Sequence, residues 1–316
     1  MGKTMKDKHF LRDVVGSYIT ELGRENNSIV VVNADLSGTS RNRSFTEEFP
    51  SRSFNTGIAE QNAVSFAAGL AHEGFIPYVF TMAPFLTMRA CEQCRTDVAY
   101  ENLSVKLVGH YSGVSGGISG ATHWAIEDCA IMSSIPNMRI LEPCDVNQAQ
   151  RMLELMCITD GPVYLRLSCE PCLDFYDNDF KCEIGGSVKV RQGNDGAVLA
   201  SGVTVQYAYI AAEKIAAETG KQFQVVDMYS IKPIDKAAII SAANTGKIVV
   251  VQDHNIIGGL GSMVAMVIAE NGIRTNFKTI GIDDQFVPMA HPQFLYKKFG
   301  MDSEGLYDTL IRMIEN

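Results

Sequence analysis

The chain has 316 residues, of which 46% are apolar, and its formal net charge is -9 at pH 7. This size and apolar content allow large cores and about two domains. The charges are interspersed without a basic run, and no uncharged apolar run reaches the roughly 18 residues of a membrane span, so we expect neither a nucleic-acid nor a membrane partner.

The first half of the chain alternates helical and extended patterns. Apolar residues within 10–22 recur at three- and four-residue spacing, as on one face of a helix. Short apolar runs, separated by segments of helical length, predict buried strands at residues 28–33, 76–81, 104–109, 138–141 and 163–167. Their continuous apolar character is typical of a parallel sheet that is covered on both faces.

A polar, glycine-containing stretch at residues 170–193 interrupts this alternation, and we predict that it is a linker. Beyond it, strands are predicted on a smaller scale at residues 197–200, 223–226 and 248–251. A glycine-rich turn at 258–261 then opens a helix. The sequence therefore predicts a second α/β domain from about residue 190.

The cysteine content and the first residues of the chain indicate the cellular compartment in which we expect the protein. Residues 1–9 contain lysines but no apolar core of a secretion signal, and eight cysteines in a chain of this length fit reduced thiols better than a disulfide framework. We therefore expect a cytoplasmic protein. Two C-x-x-C pairs, Cys91/Cys94 and Cys169/Cys172, leave zinc binding open as an alternative to buried free thiols.

The most informative segment is residues 53–62, S-F-N-T-G-I-A-E-Q-N, which places Glu60 at the start of a helix over 63–72. A glutamate in a first helical turn is often structural, because it interacts favourably with the helix dipole. The G-I-A-E-Q-N sequence nevertheless resembles the signature of the pyrimidine-binding domain of transketolase-like enzymes. Further motifs in that family's order and spacing occur at residues 85–95, 120–123, 135–137, 142–143 and 258–262.

Over nearly its whole length the chain resembles the C-terminal half of a transketolase, in the split form that is made as a separate subunit. The resemblance implies two α/β domains, each a mostly parallel sheet covered by helices. A thiamine diphosphate pyrimidine-binding domain is expected at 5–180 and a transketolase C-terminal domain at 190–316. The implied cofactor is thiamine diphosphate, and the implied reaction is transfer of a two-carbon ketol unit from a ketose to an aldose.

The resemblance also gives roles to residues around the cofactor. Glu60 would be catalytic and cofactor-binding, since a desolvated carboxylate on the aminopyrimidine ring nitrogen favours the imino tautomer that takes the thiazolium C2 proton. Phe85 best fits the aromatic position against the pyrimidine face, and Phe80 is a second candidate whose alternative is core packing. Met88 stands where many transketolases have another aromatic. His123 corresponds to a catalytic histidine that faces the oxygen atoms of the substrate.

Two residues align by spacing with the family's contacts to the terminal phosphate of the substrate. Arg12 corresponds to an arginine that binds this group, and Thr39 to a hydroxyl residue near it. A guanidinium suits phosphate or sulfonate because its forked N–H donors match the oxygen atoms. An exposed arginine on the first helix is the alternative interpretation of Arg12.

The chain departs from the family pattern at three positions of the expected substrate channel. Tyr111 replaces a histidine that reaches the donor, Ser119 an aspartate that reads a hydroxyl, and Cys169 an arginine that clamps the phosphate. Each change removes charge or alters donor geometry, whereas the cofactor-facing residues are retained. We therefore predict that the thiamine mechanism is kept and that the substrate is an unusual ketose. This ketose would be a modified sugar phosphate or a sugar sulfonate, with a deoxy or branched carbon as a further alternative. Tyr111 and Ser119 are predicted to contact it.

The Gly-Asp-Gly motif with its later asparagine, through which thiamine enzymes hold Mg²⁺ and the diphosphate, has no counterpart here; residues 193–196 read as a turn. The resemblance implies that an N-terminal transketolase subunit holds Mg²⁺ or Ca²⁺, in an α2β2 heterotetramer, and that this chain has no metal of its own and is active only with that partner.

Two other functions remain open at the level of sequence. The β subunit of a 2-oxo acid dehydrogenase E1 shares the two-domain plan, although residues 85–93 and the Thr-His-Trp motif look nearer the split transketolases. A non-catalytic regulatory subunit is favoured by the altered polar residues and opposed by the retained Glu60.

Overall fold

The computed structural model describes residues 9–315, so the outer limits of the predicted domains, at 5 and 316, lie outside the described residues. Two mostly parallel sheets, of seven and five strands, are flanked by helices, and a separate pair of short strands joins residues 9–10 to 171–172. The prediction of two α/β domains is confirmed.

The first domain contains eight strands. They are β1 His9–Phe10, β2 Ile29–Asn33, β3 Ser53–Asn55, β4 Ile76–Met82, β5 Lys106–His110, β6 Arg139–Leu141, β7 Val163–Leu167 and β8 Pro171–Cys172. Its α-helices are α1 Leu11–Glu25, α2 Arg43–Glu48, α3 Glu60–His72, α4 Cys91–Gln93, α5 Asp128–Ser133 and α6 Val146–Ile158. Two π-helical segments flank α4, at Phe85–Arg89 and Cys94–Ala99, and short 3₁₀ turns lie at Pro50–Arg52, Gly117–Ser119 and Ala121–His123.

The second domain follows the same alternation on a smaller scale. Its strands are β9 Val188–Arg191, β10 Gly196–Ala200, β11 Phe223–Asp227, β12 Ser230–Lys232, β13 Lys247–Asn255 and β14 Asn276–Ile282. Its helices are α7 Thr204–Thr219, α8 Lys236–Ala243, α9 Leu260–Glu270, α10 Pro292–Lys298 and α11 Ser303–Glu315.

The order of strands in the large sheet, β12-β6-β7-β5-β4-β2-β3, brings the ends of β2, β4 and β5 next to one another. All of these pairs are parallel except β12 with β6. Because ligands in such sheets bind beyond the carboxyl ends of the strands, the loops after β2, β3, β4 and β5 are the ones that can build a site.

The two faces of β4 belong to different cores, and this decides the role of Phe80. Tyr78 and Phe80 pack with residues of α1 and α6, whereas Val79 packs on the opposite face, with residues of α3. The Phe80 side chain is 1% exposed. Successive side chains of a strand point to opposite faces, so Phe80 faces away from the helix that Glu60 begins. The alternative of core packing is the one that the structure supports, and Phe80 is not a cofactor contact.

The predicted linker is more ordered than expected. Within it, β8 pairs antiparallel with β1, and β9 forms an antiparallel edge of the small sheet beside β11. The predicted linker over 170–193 therefore carries a short strand near each of its ends. The pattern was obscured because edge strands are half exposed and carry polar residues.

The second domain is joined to the first by a shared strand and by a buried ionic network. β12 leaves the small domain and extends the large sheet beside β6. Arg166, fully buried in β7, donates from Nε to Asp128 Oδ2 at 2.8 Å and from Nη1 to Glu142. Its Nη2 donates to the carbonyl oxygen of Asp253 in the second domain at 2.7 Å. Buried charges with this many partners fix the position of the domains even where their net contribution to stability is small.

Among residues 9–315, no helix has the length and apolar character that crossing a membrane requires.

Candidate active site

Glu60 is the first residue of α3, and its side chain is 1% exposed. The short strand β3 delivers the chain to this helix through a turn at Gly57, whose φ of +75° lies in the left-handed region that glycine adopts readily. Glu60 Oε2 accepts a hydrogen bond from Arg89 Nη1 at 2.7 Å. The carboxylate is thus desolvated, as the role predicted for it requires.

Phe85 begins the π-helical segment that follows β4, and it lies next to His123, another predicted site residue. Its ring lies edge-on to the His123 imidazole, with 5.4 Å between the ring centroids. The guanidinium carbon of Arg89 lies 4.2 Å from the centroid of the same ring. His123 is half-buried, and its Nδ1 shares a hydrogen bond of 2.8 Å with the Thr122 hydroxyl.

An open cavity of about 480 Å³ adjoins this group and lies between the two domains. Met88, 45% exposed, is one of the predicted residues that line it. The other lining residues are Pro84, Phe85, Arg89, Ala121, Thr122, Trp124, Ile126, Glu127, Phe286 and Val287. Glu60 and His123 are not in its lining; they flank it through Arg89 and Phe85, respectively.

A second group of predicted residues gathers around Arg12. The Arg12 Nη1 donates to the hydroxyl of Tyr111 at 3.0 Å, and the guanidinium carbon lies 5.5 Å from the centroid of that ring. Burial raises the pKa of Cys169 to about 11, against the opposing effect of the Arg12 charge. The three residues therefore lie together, where the Arg12 guanidinium, paired with Asp13 at 3.2 Å, contacts the Tyr111 hydroxyl beside a neutral thiol.

Thr39 lies beside this group because the next residue in the chain is tied to it. The Ser40 hydroxyl hydrogen-bonds His110 Nε2 at 2.9 Å, next to Tyr111 in the chain. Burial lowers the pKa of His110 to about 3, so this imidazole is neutral. Ser119 differs from the others, since it is exposed at the end of the Gly117–Ser119 turn.

The loop that carries Tyr111, Ser119 and His123, residues 111–124, is held by Asp253 of the second domain. The buried Asp253 carboxylate accepts from the backbone N–H of Val114, at 3.1 and 3.2 Å, and from the Tyr296 hydroxyl at 2.9 Å. Gly113 passes so close that a Cβ on it would lie 2.1 Å from the Asp253 carboxyl carbon. The second domain thus shapes the loop of the first.

Three of the residues in this region were not predicted. Arg89 and Trp124 lie within or next to recognised motifs, so their positions were available, but nothing in the sequence paired Arg89 with Glu60. Phe286 lies about 160 residues along the chain from Trp124, and only the docking of the two domains brings it to the cavity.

The zinc alternative fails on geometry. All eight cysteines are free, and the two C-x-x-C pairs lie in different cores, Cys94 with α3 and Cys172 with α1. The described residues contain one group of three potential metal ligands, Asp128, Cys129 and His254. Because the buried Arg166 already pairs with Asp128, a cation stands where a metal ion would compete for that carboxylate.

Comparison with known families agrees with this architecture. The model of the transketolase pyrimidine-binding domain matches residues 8–170, and that of the transketolase C-terminal domain matches residues 185–306. The chain belongs to the transketolase family, as a C-terminal subunit of the split form. It is a transferase subunit that works with a partner subunit, and the family implies thiamine diphosphate.

Three curated relatives span almost the whole chain. A putative transketolase C-terminal section of Methanocaldococcus jannaschii is 39% identical over 94% of this chain and 93% of its own length. An apulose-4-phosphate transketolase subunit of Phocaeicola vulgatus is 36% identical over 94% of this chain and 95% of its own length. The 6-deoxy-6-sulfo-D-fructose transketolase subunit of a Clostridium species is 34% identical over 95% of this chain and 93% of its own length.

A solved structure is similar over nearly the full length. It is a split gene transketolase described as an inactive β4 tetramer, 34% identical, with a TM-score of 0.87 over 98% of this chain and 99% of its own. Together these comparisons favour a transketolase subunit over the dehydrogenase and regulatory alternatives.

Proposed function

We propose that this chain supplies the pyrimidine-binding half of a thiamine diphosphate site, with Glu60 as its catalytic carboxylate. The observation that carries the proposal is the buried Glu60 carboxylate, which the Arg89 guanidinium joins to one face of the Phe85 ring. A planar, nitrogen-bearing group fits between them, because the Arg89 guanidinium already contacts both. When bound, thiamine diphosphate supplies the carbanion chemistry of ketol transfer.

Each residue near the cofactor then has a distinct task. Glu60 binds the pyrimidine ring nitrogen and holds a proton at that atom. Phe85 packs against the ring, and Met88 lines the approach to it. His123, with Nδ1 engaged by Thr122, uses Nε2 to exchange a proton with a substrate oxygen.

For the substrate we propose a ketose with an anionic end group and a modified carbon chain. Arg12 binds the anion, with Tyr111 and Thr39 beside it, and Ser119 faces the sugar hydroxyls. Cys169 adds no charge there, because burial holds its pKa at about 11. The relatives named for apulose 4-phosphate and 6-deoxy-6-sulfo-D-fructose support a branched phosphate or a sulfonate as the class of substrate.

We further propose that an N-terminal transketolase subunit completes the site in a cytoplasmic α2β2 heterotetramer. That subunit holds Mg²⁺ or Ca²⁺ and the diphosphate. Exposed apolar side chains support a covering partner: Phe286 lines the cavity, and Ile58, Ile118 and Met289 are, like Phe286, at least 63% exposed. The domain boundary is proposed between residues 180 and 190.

The test is calorimetric titration of thiamine diphosphate and Mg²⁺ into the chain alone and into its mixture with the partner, followed by a ketol-transfer assay. We expect binding and turnover only in the mixture. Glu60→Gln should reduce kcat about 10²- to 10⁴-fold, the usual contribution of a positioned acid or base. Glu73→Gln, exposed at the end of the same helix, is the matched control.

Two results would contradict the proposal. Tight metal-dependent binding by the chain alone would remove the need for a partner site, and full turnover in Glu60→Gln would remove the catalytic role of that carboxylate. The substrate part fails separately, if the complex uses xylulose 5-phosphate with ribose 5-phosphate better than branched or sulfonated ketoses.

A further inference from the structure

Arg89 makes two contacts that the proposed function assigns to the cofactor. Its Nη1 donates to Glu60 Oε2 at 2.7 Å, and its guanidinium carbon lies 4.2 Å from the centroid of the Phe85 ring. The contact with Glu60 uses a carboxylate that is 1% exposed, whereas the Arg89 side chain itself is 47% exposed. The guanidinium therefore reaches inward from the surface to two buried or half-buried partners.

The guanidinium and an aminopyrimidine share the features through which Glu60 and Phe85 bind a planar group. Both are planar, both present nitrogen-bound groups to a carboxylate in the plane, and both offer a flat face to an aromatic ring. Planar groups in contact are separated by about 3.5–4.0 Å. The 4.2 Å between the guanidinium and the Phe85 ring therefore leaves no room for a second planar group between them.

We infer that Arg89 is a built-in occupant of the pyrimidine position, and that it must leave Glu60 and Phe85 before the cofactor can bind. This inference rests on the proposed function. The side chain can leave because it is long, half exposed and attached at the end of the π-helical segment Phe85–Arg89. Arg89 thereby sets the affinity of the site for thiamine diphosphate and keeps the buried carboxylate paired while the cofactor is absent.

The expected size of the effect follows from the two contacts that are lost. A partly exposed ion pair and a partly exposed cation–π contact together oppose cofactor binding by about tenfold. In Arg89→Ala this competition is gone, so the dissociation constant of thiamine diphosphate should fall about tenfold. Arg89→Lys keeps the charge but not the planar face, so we expect a value between those of the parent and the alanine variant.

The experiment is calorimetric titration of thiamine diphosphate with Mg²⁺ into the complex with the partner subunit. Arg95→Ala is the matched control, because Arg95 is exposed on the next π-helical segment and touches neither Glu60 nor Phe85 in the contacts described. Added guanidinium ion should restore the weaker, parental dissociation constant in Arg89→Ala and should have little effect on the parent, whose position is already filled.

The outcomes separate this inference from the proposed function. Equal or weaker cofactor binding in Arg89→Ala, with Glu60→Gln and Phe85→Ala both weaker than the parent, overturns the role of Arg89 alone. No binding by the parent complex, or full affinity in both Glu60→Gln and Phe85→Ala, overturns the pyrimidine site itself and the inference with it. Tenfold tighter binding that guanidinium reverses supports both.

Discussion

Replacing Asp253 with asparagine should make the stability of the protein less dependent on pH. Asp253 is 1% exposed in β13, and burial raises its pKa to about 7, although Arg166, the Val114 N–H and the Tyr296 hydroxyl each act to lower it. An aspartate in an unfolded chain titrates near 3.8. Asparagine does not titrate, and its amide oxygen can still accept from Val114.

The sign follows from counting protons. Between the unfolded and folded pKa values, the folded state holds one proton more than the unfolded state, so the contribution of Asp253 to stability is present at low pH and falls as the pH rises towards 7. With a folded pKa of about 7, raising the pH from about 6 to about 8 costs the parent roughly 1 kcal/mol more than the asparagine variant. Asp227, whose pKa burial also raises to about 7, is present in both proteins and cancels.

The assay is urea denaturation of the parent and of Asp253→Asn at these two pH values. The exposed Asp283→Asn is the control for the loss of one surface charge. We expect the loss of unfolding free energy between the two pH values to be smaller in Asp253→Asn by roughly 1 kcal/mol, and unchanged in the control. Equal losses in the parent and Asp253→Asn would show that the carboxylate is charged in the folded state throughout this range and would refute the reasoning.

Three more predictions concern the same region. Gly113→Ala puts a Cβ 2.1 Å from the Asp253 carboxyl carbon, at a residue whose φ is +58°. It should therefore lower the unfolding free energy by about 3 kcal/mol. The control is Gly69→Ala, in open space on α3, which should not lower Tm. Arg166→Leu leaves Asp128 and Glu142 buried without their cation and should cost about 3–5 kcal/mol in urea denaturation; an unshifted midpoint would contradict this. Trp124 is the only tryptophan of the chain and lines the cavity. The tryptophan fluorescence of this chain should therefore change when the complex binds thiamine diphosphate, and Trp124→Phe should abolish that change.

The buried strands were predictable because their sequence carries the signal locally. Continuous apolar runs predicted β2, β4, β5, β7 and β11 to within two residues at each end. What failed were elements defined by a distant neighbour. β9 is a half-exposed edge strand, and β12 leaves its own domain to pair with β6, some 90 residues earlier in the chain. No local pattern reports such a partner.

The candidate site shows the same division. Motif and spacing predicted Glu60, Phe85 and His123 as site residues. The structure brings Phe85 and His123 together, and Arg89 joins Phe85 to Glu60. The sequence could not exclude Phe80, because its apolar run hides the alternation of faces that strand geometry then imposes. Nor could it connect Asp253 with Val114, since that hydrogen bond exists only when the domains are docked.

The residues proposed for the cofactor and for the substrate are built on different supports. Glu60 and Phe85 begin helical segments that follow β3 and β4, within the first domain. Tyr111 and Ser119 lie in loop 111–124, which is bound by Asp253 and followed by a backbone hydrogen bond from Asn255 N to Ile126 O at 2.8 Å. Substitutions in the second domain can therefore move the proposed substrate contacts without moving the carboxylate or the ring proposed to face the cofactor. This separation gives a physical reason for finding family-typical residues at 60 and 85 together with altered ones at 111 and 119.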